Sequence, residues 1–183
     1  MNLRQTALPG VVVADTTPFV DHRGAFARLF CERELAPAIG GRHIVQINHS
    51  RTSAAGAVRG LHFQRAPHAE MKLVRCVRGR VFDVAVDIRS GSPTFLRWHG
   101  EELSADNARM MIVPEGFAHG YQVLEPESEL IYCTTAFYEP AAEGGLSALD
   151  PRLSIAWPLP VGDLSAKDAK QPLLSSDFTG ITV

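Results

Sequence analysis

The side chains best suited to chemistry in this chain include two histidines that stand in short apolar segments. His62 lies in VRGLHFQ (58–64), and His119 lies in PEGFAHG (114–120), where a turn leads into a predicted strand. An imidazole has a reference pKa of about 6.5, so it can accept or donate a proton near neutral pH. A lone histidine among apolar residues is nevertheless more often structural than catalytic, so neither residue is decisive alone.

A lysine, a tyrosine and an aspartate add further chemistry. Lys72 shares one face of the predicted strand 71–77 with Val74 and Cys76, so its ammonium either reaches the rim of the fold or points into a cavity. Tyr132 is flanked by apolar residues, and a buried hydroxyl needs a polar partner. Asp168 ends the segment LSAKD (164–168), where a carboxylate is usually a simple charge at a helix start.

Short strands must position these side chains. Residues 82–88 alternate apolar and polar side chains, which predicts a strand with one buried face. Residues 71–77 are its predicted partner, with a turn at 78–79. Gly60, inside VRGLHFQ, indicates a close backbone approach. Further apolar segments lie at 110–113, 121–124 and 129–135.

The fold class follows from the many short strands and the turn residues between them. Fifteen glycines and 12 prolines favour an all-β sandwich or barrel. One short helix is predicted within 27–39, and the irregular region after residue 150 has a possible helical turn capped by Ser165. We find no repeat or linker, so 1–183 is interpreted as one domain.

Composition excludes several classes of protein. The chain is 45% hydrophobic with a net charge of −2, which argues against disorder and against a nucleic-acid or anionic-membrane partner. No apolar stretch reaches the length of a membrane helix, and we expect no signal peptide. The isolated Cys31, Cys76 and Cys133 suit a reducing compartment, which favours the cytoplasm.

Ten motifs, taken together and in chain order, resemble the nucleotide-sugar epimerases typified by dTDP-4-dehydrorhamnose 3,5-epimerase. The resemblance spans nearly the whole chain. VRGLHFQ and PEGFAHG are its most specific parts. The full set is DHRG (21–24), QINHS (46–50), VRGLHFQ (58–64), KLVR (72–75), GRVFDVAVDIR (79–89), GSPTF (91–95), LSADN (103–107), PEGFAHG (114–120), IAWP (155–158) and LSAKD (164–168).

The resemblance implies a cupin-type jelly-roll β-barrel with short peripheral helices, a homodimer, and a pocket inside the barrel. It also implies proton transfer without cofactor or metal, next to the C4 ketone of a nucleotide-linked 4-keto-6-deoxyhexose. A base removes the proton at C3, C5 or both, and an acid on the opposite ring face returns one. The implied reaction converts dTDP-4-dehydro-6-deoxyglucose to dTDP-4-dehydrorhamnose.

The same resemblance implies the roles of individual residues. His62 matches the base, and Asp168 matches the carboxylate that sets its tautomer. Lys72 would stabilise the oxyanion at C4. Tyr132 would be the opposite-face acid, with Tyr138 as the competing candidate.

The remaining matched positions are expected to bind substrate. Arg59, Arg23 and Lys167 would hold the diphosphate, since arginine offers paired donors to phosphate oxygens. Tyr138 also belongs to this binding set. The other positions expected to line the sugar or nucleotide site are Gln46, Asn48, His119 and Glu143.

Several positions depart from the family pattern. Arg28 stands where an acidic residue is common, Ile47 where aspartate is common, and Cys133 where lysine is common. The segment SAL (147–149) replaces a polar-aromatic stretch. These changes lie around base and sugar contacts, so the nucleotide and the number of inverted carbons stay open.

Three alternatives remain. The chain could be a metal-dependent cupin enzyme using His62 and His119, although Gln64 stands where an H-x-H pair needs its second histidine. It could be a non-catalytic sugar-nucleotide binding module, which the joint presence of the four catalytic candidates disfavours. It could also be a single-carbon epimerase of another sugar nucleotide.

Overall fold

A computed structural model describes all residues from 1 to 183. Thirteen short strands and two short helices form the fold, with β-strand the dominant element. The strands are β1 (Asn2–Gln5), β2 (Val12–Asp15), β3 (Phe19–Asp21), β4 (Gly24–Phe26), β5 (Gln46–Thr52), β6 (Val58–Gln64), β7 (Lys72–Arg78), β8 (Arg80–Asp87), β9 (Trp98–Ser104), β10 (Arg109–Val113), β11 (Phe117–Val123), β12 (Ser128–Thr134) and β13 (Glu143–Gly145). The helices are α1 (Glu32–Ile39) and a 3₁₀ helix (Asp168–Lys170). Neither helix is long and apolar enough to cross a membrane.

Two antiparallel sheets face each other. The six-stranded sheet has the order β1-β2-β10-β7-β12-β5, and the five-stranded sheet has the order β13-β6-β11-β8-β9. Val74 and Met111 from the first sheet pack against Val81 and Ala85 from the second in one buried cluster. From β5 to β12 the chain passes repeatedly between the sheets, which is the connectivity of a jelly roll. The predicted all-β jelly-roll barrel is confirmed.

The predicted hairpin across residues 78–79 is wrong. β7 pairs with β10 and β12, whereas β8 pairs with β11 and β9 in the other sheet. Gly79, at φ +71°, carries the chain from one sheet to the other, and a Cβ there would collide with Ser128. Alternation along a strand reports its two faces and not its neighbour, which is why the pattern could not reveal this crossover.

The expectation of one buried face for residues 82–88 is also wrong, because both faces of β8 are buried. Val84 and Val86 pack outside the barrel beneath the C-terminal segment, against residues such as Leu153. On the other face, Asp83 is completely buried inside the barrel. The polar residues of this strand therefore line the interior and do not face solvent.

The two predicted helical regions are both found. α1 covers the outer face of the six-stranded sheet with Leu35 and Ile39, which are fully buried. At the other end of the chain, the Ser165 hydroxyl accepts a hydrogen bond of 3.0 Å from the Asp168 backbone N–H, as expected for a cap. This turn places Asp168 beside β6, where the residue is 5% exposed.

Candidate active site

A bulge in β6 brings two functional side chains to the same face of the five-stranded sheet. His62 pairs with His119 of β11, and Arg59 pairs with Tyr121, with a shift of register between the two pairs. Residues three apart point to opposite faces of a regular strand, so the bulge is what lets Arg59 and His62 both face the interior. Gly60 permits it, because a Cβ there would lie 2.6 Å from the Gly120 Cα. The expected close approach at Gly60 is confirmed.

The opposing six-stranded sheet contributes Tyr132 and Lys72, which both point inward because side chains alternate between the two faces of a strand. Tyr132 pairs with Val74 of β7 on one side and with Asn48 of β5 on the other. The next inward position, Thr134, pairs with Lys72. Lys72 and Tyr132 are therefore diagonal neighbours on the face that looks across the barrel toward His62.

Two adjoining cavities of about 420 and 270 Å³ form the cleft between the sheets. His62, Lys72, Tyr132 and Lys167 line both of them, so the two cavities meet at these side chains. Eleven of the twelve residues singled out from the sequence line this cleft. The other seven are Gln46, Asn48, Arg59, His119, Tyr138, Glu143 and Asp168.

His62 and Asp168 form a hydrogen-bonded pair. The His62 Nε2 lies 2.6 Å from the Asp168 Oδ1, and the aspartate side chain is 4% exposed. With Nε2 bonded to the carboxylate, Nδ1 is the ring nitrogen left to accept a proton. Burial lowers the pKa of His62 below its ordinary value, although the bond to Asp168 opposes this effect. The imidazole is thus held neutral and oriented near neutral pH.

The Tyr132 side chain is half-buried and lines the interior of the cleft. Burial, together with the nearby Tyr121 and Glu70, raises the pKa of Tyr132 above its ordinary value. The phenol therefore stays protonated and can act as an acid. Tyr138 differs, since the residue is 54% exposed and its hydroxyl donates a 2.9 Å hydrogen bond to Glu143. Its position at the rim suits ligand contact better than proton transfer inside the barrel.

Glu143 organises the rim of the cleft. It accepts hydrogen bonds from the Lys167 ammonium at 2.6 Å and from the Tyr138 hydroxyl. Burial raises the pKa of Glu143, but these two donors outweigh burial and hold it below its ordinary range. The Gln46 side-chain oxygen accepts a hydrogen bond of 2.5 Å from the Tyr138 backbone N–H. The rim is thus a connected polar network.

Comparison with known proteins places this geometry in a family. The family model described as dTDP-4-dehydrorhamnose 3,5-epimerase matches residues 5–176. The chain belongs to this epimerase family. A curated relative, dTDP-4-dehydrorhamnose 3,5-epimerase of Shigella flexneri, is 45% identical over 180 residues, covering 97% of this chain and 99% of the relative.

Solved structures of epimerases share the fold. The dTDP-6-deoxy-D-glucose-3,5-epimerase RmlC of Legionella pneumophila, in complex with dTDP-4-keto-L-rhamnose, superposes with a TM-score of 0.91 at 37% identity, over 100% of this chain and 98% of that one. ChmJ of Streptomyces bikiniensis, a 3'-monoepimerase in complex with dTDP-quinovose, gives 0.85 at 32% identity, over 92% of this chain and 85% of that one. The structures that this chain resembles thus include a 3,5-epimerase and a 3'-monoepimerase.

Arg23 is the one sequence-predicted residue that this epimerase-family chain does not bring to its own cleft. It lies in the separate two-stranded ribbon β3–β4 and forms a 2.6 Å ion pair with Asp21. Motif matching assigns a position in the chain, but it does not say which part of the fold, or which copy, that position reaches. Arg28 also lies outside the cleft, 2.8 Å from Glu34.

Two acidic residues of the site were missed by sequence reasoning. Glu70 lies 3.2 Å from the Lys72 ammonium and lines the larger cavity. Asp83 lies 2.8 Å from the His119 Nε2, and its second oxygen has no hydrogen-bond partner. The alternation of β8 marked Asp83 as polar, but only burial of both faces of the strand reveals that it lies inside the barrel against His119. The signal for the contact between Glu70 and Lys72 is their spacing of two residues, which puts both side chains on the same side of an extended chain.

The metal-cupin alternative finds no ligand set here. His62 and His119 lie side by side on the adjacent strands β6 and β11, but the Nε2 of each is hydrogen-bonded to a carboxylate oxygen. No group of three or more histidine, cysteine, aspartate or glutamate side chains is arranged to hold a metal ion.

Proposed function

We propose that the chain inverts C3, C5 or both in a nucleotide-linked 4-keto-6-deoxyhexose, converting dTDP-4-dehydro-6-deoxyglucose to dTDP-4-dehydrorhamnose. One observation carries the proposal. His62 and Tyr132 lie on facing sheets across a single cleft, so a sugar ring held between them meets a base on one side and an acid on the other. Family membership and the dTDP-sugar in the related Legionella structure support this substrate class.

The first half-reaction forms an enolate. The C4 carbonyl acidifies the neighbouring C–H bonds, and the His62 Nδ1 takes the proton as the C–H electron pair moves toward the C4 oxygen. Asp168 stabilises the imidazolium that forms. Lys72 donates a hydrogen bond to the C4 oxygen, where negative charge develops. Each group has a single task at a defined atom.

The second half-reaction inverts the carbon. The Tyr132 hydroxyl donates its proton to the opposite face of the same carbon, and the enolate electrons return to re-form the C4 ketone. The enzyme is left with a tyrosinate and an imidazolium. Proton exchange with solvent restores both groups, so the reaction consumes no cofactor and can be repeated at a second carbon.

The nucleotide and diphosphate occupy the rim in this proposal. Arg59 and Lys167 are exposed cations at the cleft and suit the diphosphate oxygens. Tyr138 presents an exposed aromatic ring to the nucleotide. Side chains with hydrogen-bonding groups for the sugar and nucleotide are Gln46, Asn48, His119 and Glu143.

We further propose that the protein is a homodimer and that Arg23 acts from the second copy. The ribbon β3–β4 pairs with neither barrel sheet, and Phe19, Val20 and Phe26 on it are 76%, 77% and 66% exposed. Apolar side chains clustered in this way are typical of a protein interface. Ile47, at 68% exposed, extends the apolar surface along β5. Arg23, between Val20 and Phe26, would be carried to the neighbouring molecule.

The compartment proposed for this reaction is the cytoplasm, with residues 1–183 acting as one unit. All three cysteines are free, and unpaired thiols suit a reducing environment. The barrel contains the complete proton-transfer set. Fractionation of the native host, followed by immunodetection, tests the compartment.

Inversion of a single carbon is the second candidate function. The likeness to the 3'-monoepimerase ChmJ favours it. The substitutions at Ile47 and Cys133 do not bear on it, because these residues lie on the faces of β5 and β12 that point away from the cleft, contrary to the expectation that they lie around sugar contacts. The two functions share every step except the second cycle of proton transfer. A direct measurement of which carbons exchange is therefore needed.

The experiment is NMR of the reaction in deuterated buffer. The purified protein is incubated with dTDP-4-keto-6-deoxyglucose, and deuterium incorporation and configuration are followed at C3 and C5. Inversion with labelling at both carbons supports the 3,5-epimerase, and labelling at one supports the single-carbon enzyme. Binding without exchange would support a binding module instead. Loss of activity on chelation, restored by Fe or Mn, would favour the metal cupin.

A further inference from the structure

Glu70 forms a shielded ion pair with Lys72 at the start of β7. Its Oε1 lies 3.2 Å from the Lys72 Nζ, and the two side chains are only 11% and 12% exposed. A carboxylate shielded from water in this way needs a compensating charge. Both side chains line the larger cavity together with Tyr132, so this ion pair lies inside the cleft.

The contacts of Lys72 leave one of its donors unused. An ammonium has three N–H donors. One donates to the His62 carbonyl oxygen at 3.4 Å, and the Glu70 Oε1 lies 3.2 Å from the same nitrogen as its ion-pair partner. Two acceptors restrict rotation of the ammonium and of its long flexible stem. Since Lys72 lines both cavities, the third donor is available to a ligand oxygen in the cleft.

We infer that Glu70 is a positioning residue, which holds the Lys72 ammonium so that its free N–H meets the C4 oxygen of the substrate. The inference rests on the proposed function and deepens it. Without Glu70, the four-carbon stem of Lys72 can place its charge in many positions, and few of them stabilise the enolate. The charge of Lys72 alone is therefore not sufficient.

Glu70 also affects the pKa of Tyr132, the proposed acid. Burial, then Tyr121, then the Glu70 charge raise the pKa of Tyr132, and Arg59 opposes them. The other charged or titratable groups lining the cleft around this phenol are His62, Lys72, His119, Tyr138, Glu143, Lys167 and Asp168. Removing the Glu70 charge makes the tyrosinate less unfavourable. The pKa of Tyr132 should consequently fall.

Three variants test the inference. Glu70→Ala removes the acceptor and the charge, whereas Glu70→Gln keeps an oxygen acceptor beside Lys72. Glu102→Gln is the control, because Glu102 is an exposed glutamate on β9 that pairs loosely with Arg80 at 3.6 Å. Thermal unfolding shows whether each variant is folded. Because Glu70→Gln removes the charge but keeps the side chain and its oxygen, whereas Glu70→Ala removes all three, the two variants separate positioning from charge.

In deuterated buffer, Glu70→Ala should slow both deuterium wash-in and inversion, with kcat reduced by about 10- to 100-fold. Its KM should change by less than about twofold, because the loss affects stabilisation of the transition state. Glu70→Gln should recover most of kcat, and Glu102→Gln should match the unaltered protein. Unchanged kcat in Glu70→Ala, or a loss confined to KM, overturns the inference.

A substrate-independent measurement separates this inference from the proposed function. In protein labelled with ¹³Cζ-tyrosine, Tyr132 is assigned from the resonance missing in Tyr132→Phe and is then titrated. Glu70→Gln should lower the pKa of Tyr132, and Glu102→Gln should not. If the unaltered protein epimerises but the position-70 variants match it in both assays, only the inference about Glu70 fails. If the unaltered protein does not epimerise, the proposed function fails, whatever the titration shows.

Discussion

Burial and the Asp168 carboxylate act on His62 in opposite directions. Burial lowers the pKa of the imidazole and is the larger effect, while the hydrogen bond and charge of Asp168 raise it. A general base has to be unprotonated before it can act. The lowered pKa keeps His62 ready over a wider pH range than an exposed histidine, and the bond to Asp168 fixes which nitrogen is free.

Substitution of this pair should change the pH profile in a defined direction. Asp168→Asn removes the charge that raises the pKa of His62 and leaves only a neutral hydrogen-bond acceptor, so the acid limb of kcat/KM should move to lower pH while the plateau falls. His62→Asn should lower kcat by about 10²–10⁴-fold and keep ligand binding. Steady-state kinetics across pH, with calorimetric titration of dTDP, measure both. Near-native turnover in His62→Asn, or an acid limb moved upward in Asp168→Asn, would contradict these roles.

Tyr132→Phe should separate exchange from inversion. His62 can still remove the proton and Lys72 can still hold the enolate, so deuterium should enter the substrate. Reprotonation by His62 on the original face returns the starting configuration, so little inverted product should form. NMR in deuterated buffer follows both quantities at once.

Tyr138→Phe is the matched control for the acid. It removes a phenol at the rim, where the hydroxyl is bonded to Glu143, and should preserve the ratio of inversion to exchange. If Tyr138→Phe abolishes inversion while Tyr132→Phe inverts normally, the acid is Tyr138.

The bulge of β6 is the element on which the base depends. A regular strand would turn Arg59 and His62 to opposite faces, whereas the shift of register near Gly60 turns both toward the cleft. The φ of Gly60 is +125°, and Gly120 lies against it. The irregular pairing at this point therefore places both Arg59 and His62 at the cleft.

Gly60→Ala should destabilise the fold and disturb the site together. The added Cβ would lie 2.6 Å from the Gly120 Cα at a φ that alanine rarely adopts, which should cost about 2–4 kcal/mol of unfolding free energy. Gly41→Ala is the control, since a Cβ there meets nothing within 4 Å, and its effect should stay within about 0.5 kcal/mol. Urea denaturation and turnover measure the two variants. Equal stability and native turnover in both would show that the bulge tolerates a side chain.

At the scale of the whole molecule, the ribbon β3–β4 has no role in the cleft of its own chain. Arg23 projects on a ribbon with exposed Phe19 and Phe26, away from the cleft of its own chain. Its partner within the chain is Asp21, an exposed neighbour two residues away. A surface pair of this kind contributes little stability, so Arg23 stays available for the contact with a second copy proposed above.

Mixed dimers test whether Arg23 of the partner subunit completes the cleft. Arg23→Ala and His62→Asn should each be strongly impaired as homodimers. Mixing them under exchange conditions should restore activity, because one cleft in each mixed dimer combines an intact His62 with Arg23 of the partner subunit. No recovery, with mixed dimers demonstrated by mass spectrometry, would place Arg23 in its own cleft or outside the reaction. Light scattering that shows only monomer would contradict the dimer itself.

The sequence by itself determined the approximate positions of five strands (β7, β8, β10, β11 and β12), the helix near residue 35, the cap at Ser165 and, through the family resemblance, eleven residues of the cleft. Alternation and capping depend on local backbone geometry, which nearby residues specify. Family motifs carry the identity of matched residues directly. These features need no knowledge of which strands become neighbours.

Only the tertiary structure decided which sheet each strand joins, which faces are buried, and which charges meet. β7 and β8 separate into different sheets, and Asp83 turns inward beside His119, although the local pattern predicted a hairpin and one polar outer face. The spacing of Glu70 and Lys72 puts them side by side, but the shielding of their ion pair from water depends on the strands that surround the cavity. Burial and pairing depend on which strands, distant in sequence, come to lie side by side. The two-residue alternation of a strand is the same whatever its neighbour is, so it cannot identify that neighbour.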